Sequence, residues 1–233
     1  MPTWDELFKL GARIEGVEPE VARASQIISE TFKCEPGNIN MWDIGCGNGR
    51  HALFLARLGV NLYASDNSPT ALEMTRKALA AERLSATFAE ADMEVAPFGN
   101  TMFHGIVIWN VIQHATAEKI RRVFSTILDH LLPGGLMVLS VKSSRAEEAN
   151  SGKEIEAGTM IMAEGPEAGV PHHFFSREEL KALLVPLNVI HLIERQDDVF
   201  ASATSQSIPK KTLPYHNAHW IAIGKKPFQP KRK

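Results

Sequence analysis

Cysteine is nearly missing from this 233-residue chain, which has only Cys34 and Cys46. Cys46 lies inside a glycine-rich turn, where a disulfide would obstruct ligand access, so the pair predicts reduced thiols and a cytoplasmic setting. Long apolar runs are missing too. None approaches the ~18 residues that cross a bilayer. The start, Met1-Pro2-Thr3-Trp4-Asp5-Glu6, lacks the basic and apolar regions of a signal peptide. These absences predict no membrane partner. An excess of one charge is also lacking, and the formal net charge of -2 argues against a dedicated nucleic-acid binder. What remains is ordinary for a globular protein, with 44% hydrophobic and 22% charged residues. The length suits a single domain, 1–233, with insertions. No internal repeat is visible.

The stretch Met41-Trp42-Asp43-Ile44-Gly45-Cys46-Gly47-Asn48-Gly49-Arg50 reads as a short buried strand running into a glycine turn that opens a helix. Glycines at 45, 47 and 49 let the backbone turn sharply and a ligand approach closely. Free N–H groups at the helix start favour an anionic group. Asp66 follows about twenty residues later at the end of the next strand, the place of a ribose-binding acid. Asp43 either caps the new helix or touches ligand. Cys46 reads as a small packed residue of the turn.

The rest of the chain falls into order around that stretch. Met1 to Leu10 predicts a short amphipathic helix, packed on the domain edge or serving as a flap with Trp4 as its apolar face. Pro19 opens a second helix burying Val21, Ala24, Ile28 and Phe32. With it, residues 1–36 form an N-terminal helical part and 40–141 a core. Strands are expected at Asn40–Ile44, Asn61–Ser65, Ala86–Glu90, Gly105–Trp109 and Leu136–Val141. Helices are expected at His51–Leu58, Thr70–Arg83 (capped by Ser68) and Ala117–Leu132. The alternation implies a parallel sheet covered by helices on both faces. Ser143 to Phe175 breaks the rhythm and is too long for an ordinary loop, which predicts a lid, a binding loop or disorder. Ser176-Arg177-Glu178-Glu179 is a capping box opening a helix. Asn188–Glu194 and His219–Lys225 are the last strands of a C-terminal sheet part, 176–225. Arg195 to Asn217 is a second long polar connection. The tail, 226–233, is basic and expected to be solvated.

The chain resembles the class I S-adenosylmethionine-dependent methyltransferases. Asp43-Ile44-Gly45-Cys46-Gly47-Asn48-Gly49-Arg50 is similar to the family's first motif. Asp66, Asp92-Met93 and Leu131-Leu132-Pro133-Gly134-Gly135-Leu136 are similar to the acid after the second strand, the pair after the third and the turn before the fifth. Glu154 to Thr159, Pro171-His172-His173-Phe174-Phe175 and His219-Trp220 resemble a small-molecule, type 11 or tellurite-resistance-like group. The resemblance implies a three-layer α/β Rossmann-like fold, with a seven-stranded, mostly parallel sheet whose last strand is antiparallel and lies beside strand five. It implies S-adenosyl-L-methionine as cofactor and methyl transfer to a small molecule at O, N, S or a soft anion. It places Gly45, Cys46 and Gly47 against the cofactor and Asp43 at its amino group. Asp66 falls at the ribose, Asn67 under the adenine, Asp92 and Met93 at the adenine edge, and Asn110 on the methionine side.

Base candidates are His114, on the strand edge where ligands bind in parallel sheets, and His173 or its neighbour His172 in the insertion. Adjacent histidines seldom point into one pocket. Trp4 and His172 are candidate substrate contacts. His172, His173, His216, His219, Glu154 and Glu156 match no zinc spacing, so no metal is expected. A nicotinamide dehydrogenase is a rival, but the turn is not G-x-G-x-x-G, and neither Tyr63 nor Tyr215 has a lysine four residues on. A nucleic-acid base methyltransferase would typically show a prolyl motif where Val111-Ile112 follow Asn110. A cofactor-binding protein without catalysis stays open.

Overall fold

The computed structural model describes residues 4–11, 16–163, 167–197 and 217–228. Its frame is a sheet of β1 (Asn40–Ile44), β2 (Asn61–Asp66), β3 (Thr87–Glu90), β4 (Phe103–Trp109), β5 (Leu131–Lys142), β9 (Asn188–Asp197) and β10 (Asn217–Lys225). The order across the sheet is β3-β2-β1-β4-β5-β10-β9. Strands β1 to β5 run parallel, and β10 runs antiparallel between β5 and β9. The expected seven-stranded Rossmann-like sheet is therefore present.

Three layers follow from β4, whose successive side chains point to opposite faces. Ile106 and Ile108 meet Ile120, Val123, Phe124 and Ile127 of α5 (Ala117–Asp129). Val107 turns the other way, into a core with Val21, Ala24 and Ile28 of α2 (Pro19–Phe32) and Leu55 of α3 (Arg50–Arg57). Gly105 permits that closeness, because a Cβ there would lie 2.5 Å from Ile28 Cδ1 and 2.6 Å from Met41. Helix α4 (Pro69–Ala81) buries Leu72 and Leu79 as expected, and the Ser68 hydroxyl caps it by accepting from Ala71 N–H at 3.0 Å.

Some boundaries differ from the sequence reading. Helix α5 stops at Asp129, and Pro133-Gly134-Gly135 lies within β5. Leu131 pairs with Phe103 and Leu136 with Gly105, with a register shift between them. The glycines are held by Lys226, which exchanges backbone hydrogen bonds with Gly134 and Gly135 at 2.8 and 2.9 Å. Its ammonium donates to the Leu128 and Leu131 carbonyls at 2.6 and 2.7 Å, partners that the end of α5 lacks. Phe32 is only half-buried.

The described residues of the aperiodic insertion form a second sheet of three short strands. They are β6 (Lys153–Glu156), β7 (Thr159–Ile161) and β8 (Pro171–His173), paired antiparallel in that order. Strands of three or four residues are too short to register as a pattern. Ser176 caps α6 (Arg177–Leu183) by accepting from Glu179 N–H at 3.1 Å. The expected loop Arg195 to Asn217 begins as strand to Asp197, and residues 198–216, with Tyr215 and His216, lie outside the described residues, as does the tail beyond Phe228.

Candidate active site

The glycine turn and Asp66 form one unit. Gly45, Gly47 and Gly49 have φ of 65°, 56° and 86°, the left-handed region that favours glycine. At Gly45 a Cβ would come within 2.3 Å of Val111 Cγ2, and at Gly49 within 2.7 Å of Thr75 Oγ1. Asp66 Oδ2 accepts from Gly47 N–H at 2.9 Å and Oδ1 from Ser68 N–H at 2.9 Å. Burial raises the Asp66 carboxyl above the ordinary carboxylate value, against the pull of those N–H groups. Cys46 packs under the turn against Thr75, its Sγ 3.8 Å from the Thr75 hydroxyl, and burial pushes its thiol well above the ordinary value.

Asp43 ends up doing more than one thing. It is 2% exposed and accepts from Ala52 N–H near the start of α3, so the capping role is real. Its Oδ2 is buried without a partner among the described residues. Burial raises the carboxyl to about 7, with Arg50 opposing and Asp66 reinforcing the shift. An acceptor left in that state is suited to an incoming cation.

Helix α1 (Trp4–Lys9) lies across the strand ends. Asp5 Oδ1 accepts from the Ser68 hydroxyl at 2.8 Å and from Thr70 N–H at 2.9 Å, which pins the helix to the start of α4. Phe8 reaches the turn, 3.4 Å from a Cβ built on Gly47, and the Trp4 ring stands edge-on to His114 at 5.0 Å.

On the far side, β4 is followed by Asn110, which has φ of 56° and accepts from the Ser140 hydroxyl at 2.8 Å. His114 Nε2 lies 3.1 Å from the Asn110 carbonyl, so that nitrogen carries the proton, and Nδ1 is buried without a partner among the described residues. Burial lowers His114 to about 4 and leaves it neutral. Strand β8 is tied to this loop by His173 N–H donating to Gln113 O at 2.8 Å. Its two histidines face opposite ways. His172 meets His114 edge-on at 4.7 Å, and both its nitrogens are engaged, Nδ1 2.9 Å from the Val170 carbonyl and Nε2 2.5 Å from Glu167. His173, on the other face, likewise has both nitrogens engaged, by the Thr159 hydroxyl at 2.7 Å and Glu179 at 3.0 Å. Glu167 is held down at about 2: burial raises it, but the His172 hydrogen bond and the charge of Lys142 prevail.

The other candidates separate cleanly. Asp92 is exposed and turns back to accept from Glu94 N–H at 3.0 Å, while Met93 packs on the core. Asn67 is exposed beside Asp66. Glu156 is no solvated loop residue: it accepts from Ala117 N–H at 2.6 Å and from the Thr159 hydroxyl at 2.8 Å, capping α5. Glu154 accepts from Gly158 N–H at 3.2 Å within its hairpin. His219, on β10 opposite Lys142, is half-buried with its Nδ1 atom buried and unpartnered among the described residues, and burial lowers it to about 3. Glu167, Lys142 and Asp5 were not singled out by sequence, and only Asp5, one residue after Trp4, carried a local signal.

Residues 42–135 match a family described as "Methyltransferase domain". Over 124 residues the chain is 31% identical to the carboxy-S-adenosyl-L-methionine synthase of Erwinia tasmaniensis, covering 51% of this chain and 49% of that one. The chain thus spans about half the length of the curated relatives it matches. Among solved structures, a SAM-dependent methyltransferase from Methanosarcina mazei superposes with a TM-score of 0.68 at 19% identity, covering 92% of this chain and 100% of that one. TehB from Haemophilus influenzae superposes with a TM-score of 0.64 at 16% identity, covering 96% and 67%. The resemblance to class I methyltransferases therefore extends from motifs to the whole fold.

Proposed function

We propose that this chain transfers a methyl group from S-adenosylmethionine to a small acceptor, at oxygen, nitrogen, sulfur or a soft anion. The observation that carries the proposal is the pairing of Asp66 with Gly47 N–H beside the orphaned Oδ2 of buried Asp43. Asp66 accepts backbone N–H from Gly47, Ser68 and Asn67, and as an ionised carboxylate it has further acceptor capacity for ribose hydroxyls. Asp43 offers a buried acceptor for the cofactor's ammonium group. Asn67, Asp92 and Met93 follow along the strand ends for the adenine, and Gly45, Cys46 and Asn110 for the methionyl side.

The bound cofactor supplies an electrophilic methyl on a sulfonium. The chain's own work is to hold the acceptor in line and keep water out. Helix α1 supports that work by bridging turn and His114 through Phe8 and Trp4. His114, neutral and with its Nδ1 lone pair free, is the group fitted to take a proton from the acceptor. His172 fits as a substrate contact beside it. His173, with both nitrogens engaged, fits a positioning role within the insertion. Free thiols at Cys34 and Cys46 suit a cytoplasmic protein, and no described helix is long and apolar enough to cross a membrane.

The test is calorimetric titration with S-adenosylmethionine, then a screen of thiols, phenols, amines and metalloid oxyanions read by S-adenosylhomocysteine release. Turnover with one acceptor class supports the reading. Binding with no release from any class reduces the protein to a cofactor-binding one, and preferential binding of a nicotinamide dinucleotide overturns it.

A further inference from the structure

His114, Glu167 and His172 come from two distant stretches of chain, yet each offers a ligand atom within 4.8 Å of the others. Two imidazoles and one carboxylate are the donors that borderline divalent ions prefer, and they leave a further coordination position open. Proximity alone would be weak evidence. The stronger observation is how the rings are held. A metal-binding histidine usually donates its remote N–H to a carbonyl or carboxylate, which fixes the ring and turns the other nitrogen's lone pair to the ion. Both rings here are held in this way. His114 gives Nε2–H to the Asn110 carbonyl at 3.1 Å, leaving Nδ1 buried and without a partner among the described residues. His172 gives Nδ1–H to the Val170 carbonyl at 2.9 Å, and its Nε2–H, which donates to Glu167 at 2.5 Å, is the proton that an ion entering between them displaces to solvent.

We infer that His114 Nδ1, His172 Nε2 and the Glu167 carboxylate form a binding site for one divalent ion of the zinc class, with Trp4 and Phe174 forming part of its surroundings. The Glu167–His172 contact of 2.5 Å opens on binding, since ligand atoms around tetrahedral zinc stand about 3.3 Å apart. Lys142, whose charge reaches the cluster, does not stand against a cation unopposed, because it is paired with Glu148. Trp4 stands edge-on to one ligand ring, and Phe174 packs beside the other at 6.5 Å. The site does not depend on cofactor binding at Asp43 and Asp66, but it takes the His114 Nδ1 lone pair, so in the ion-bound form His114 does not serve as the base.

Full-length protein, stripped with a chelator, is titrated with zinc alone and in parallel with cobalt(II), whose visible bands report coordination by nitrogen and oxygen ligands. One ion per chain is expected, with affinity at least tenfold weaker in Glu167→Gln and in His172→Asn. Glu154→Gln, in the neighbouring hairpin, keeps wild-type affinity. Circular dichroism checks each fold, and Glu167→Gln, being nearly isosteric, decides should His172→Asn fail to fold. Zinc uptake well below one per chain, or affinity unchanged in Glu167→Gln, overturns the site and leaves the cluster as a hydrogen-bonded relay. Asp66→Asn keeps zinc uptake while losing cofactor affinity, so failure of one site is distinguished from failure of the other.

Discussion

Acidifying the solution from about pH 7 to about pH 5.5 should weaken S-adenosylmethionine binding about 15-fold through Asp43 alone. Burial holds this carboxyl at about 7, against an ordinary value of 3.8. Half of the free protein is then ionised near neutrality, and about 3% at pH 5.5. If the ammonium pairs only with the ionised form, affinity follows that fraction, which gives the 15-fold figure. An α-amino group titrating near 8 stays largely charged across the window and does not mask the effect. The sign in the free protein is fixed by the same shift. A folded value above the unfolded one means stability is greatest below about pH 4 as far as this group is concerned, and is lost as pH rises to about 7, by on the order of 4 kcal/mol at most. Calorimetry across the pH range measures the affinity, and buffers of different ionisation enthalpy count the proton released on binding. Asp43→Asn should bind more weakly at neutral pH and lose the slope. A flat wild-type profile, or a slope surviving in Asp43→Asn, would refute the reasoning.

Asp66→Asn should weaken cofactor binding by ~1–3 kcal/mol and also lower the melting temperature, because the side chain holds Gly47 and Ser68 as well. Calorimetry and thermal unfolding check the two effects. Gly45→Ala should destabilise by ~1–3 kcal/mol in denaturant titrations, since φ of 65° and a contact of 2.3 Å with Val111 must both give. Adding Val111→Ala should restore only the part due to the contact. Glu156→Ala should cost about 1 kcal/mol through the start of α5, read as a shift in the urea midpoint. Alkylation of the native protein near pH 8, read by mass spectrometry, should label Cys34 and spare Cys46, whose thiol is buried and held protonated.

The cofactor half could be read from sequence because its determinants are local. Three glycines, an acid two residues before them and another at the next strand end are each fixed by backbone geometry over a few residues. Ser68 before Pro69 specifies a helix start by itself, and the Ser68 hydroxyl takes that bond. The end of α5 was misjudged for a matching reason. Leu131 and Leu132 continue the helical period, but Phe103 N–H claims the His130 carbonyl at 2.8 Å and Lys226 claims the carbonyls of Leu128 and Leu131. Those partners lie about thirty to a hundred positions away, beyond any local pattern.

The same distance explains why the far wall of the site stayed hidden. His172 and His173 look alike in sequence, and only the pleat of β8 separates them, sending one to His114 and Glu167 and the other to Thr159 and Glu179. A three-residue strand carries no alternation to read, so its facing depends on where β7 and the Gln113 carbonyl hold it. Glu156 shows the consequence in reverse: an acid that looked solvated or metal-seeking is consumed in closing α5, while Glu167, which had no signal, completes the cluster. Sites assembled by one insertion folding onto a regular core therefore divide in two. The half on the core follows from spacing, and the half on the insertion follows only from register.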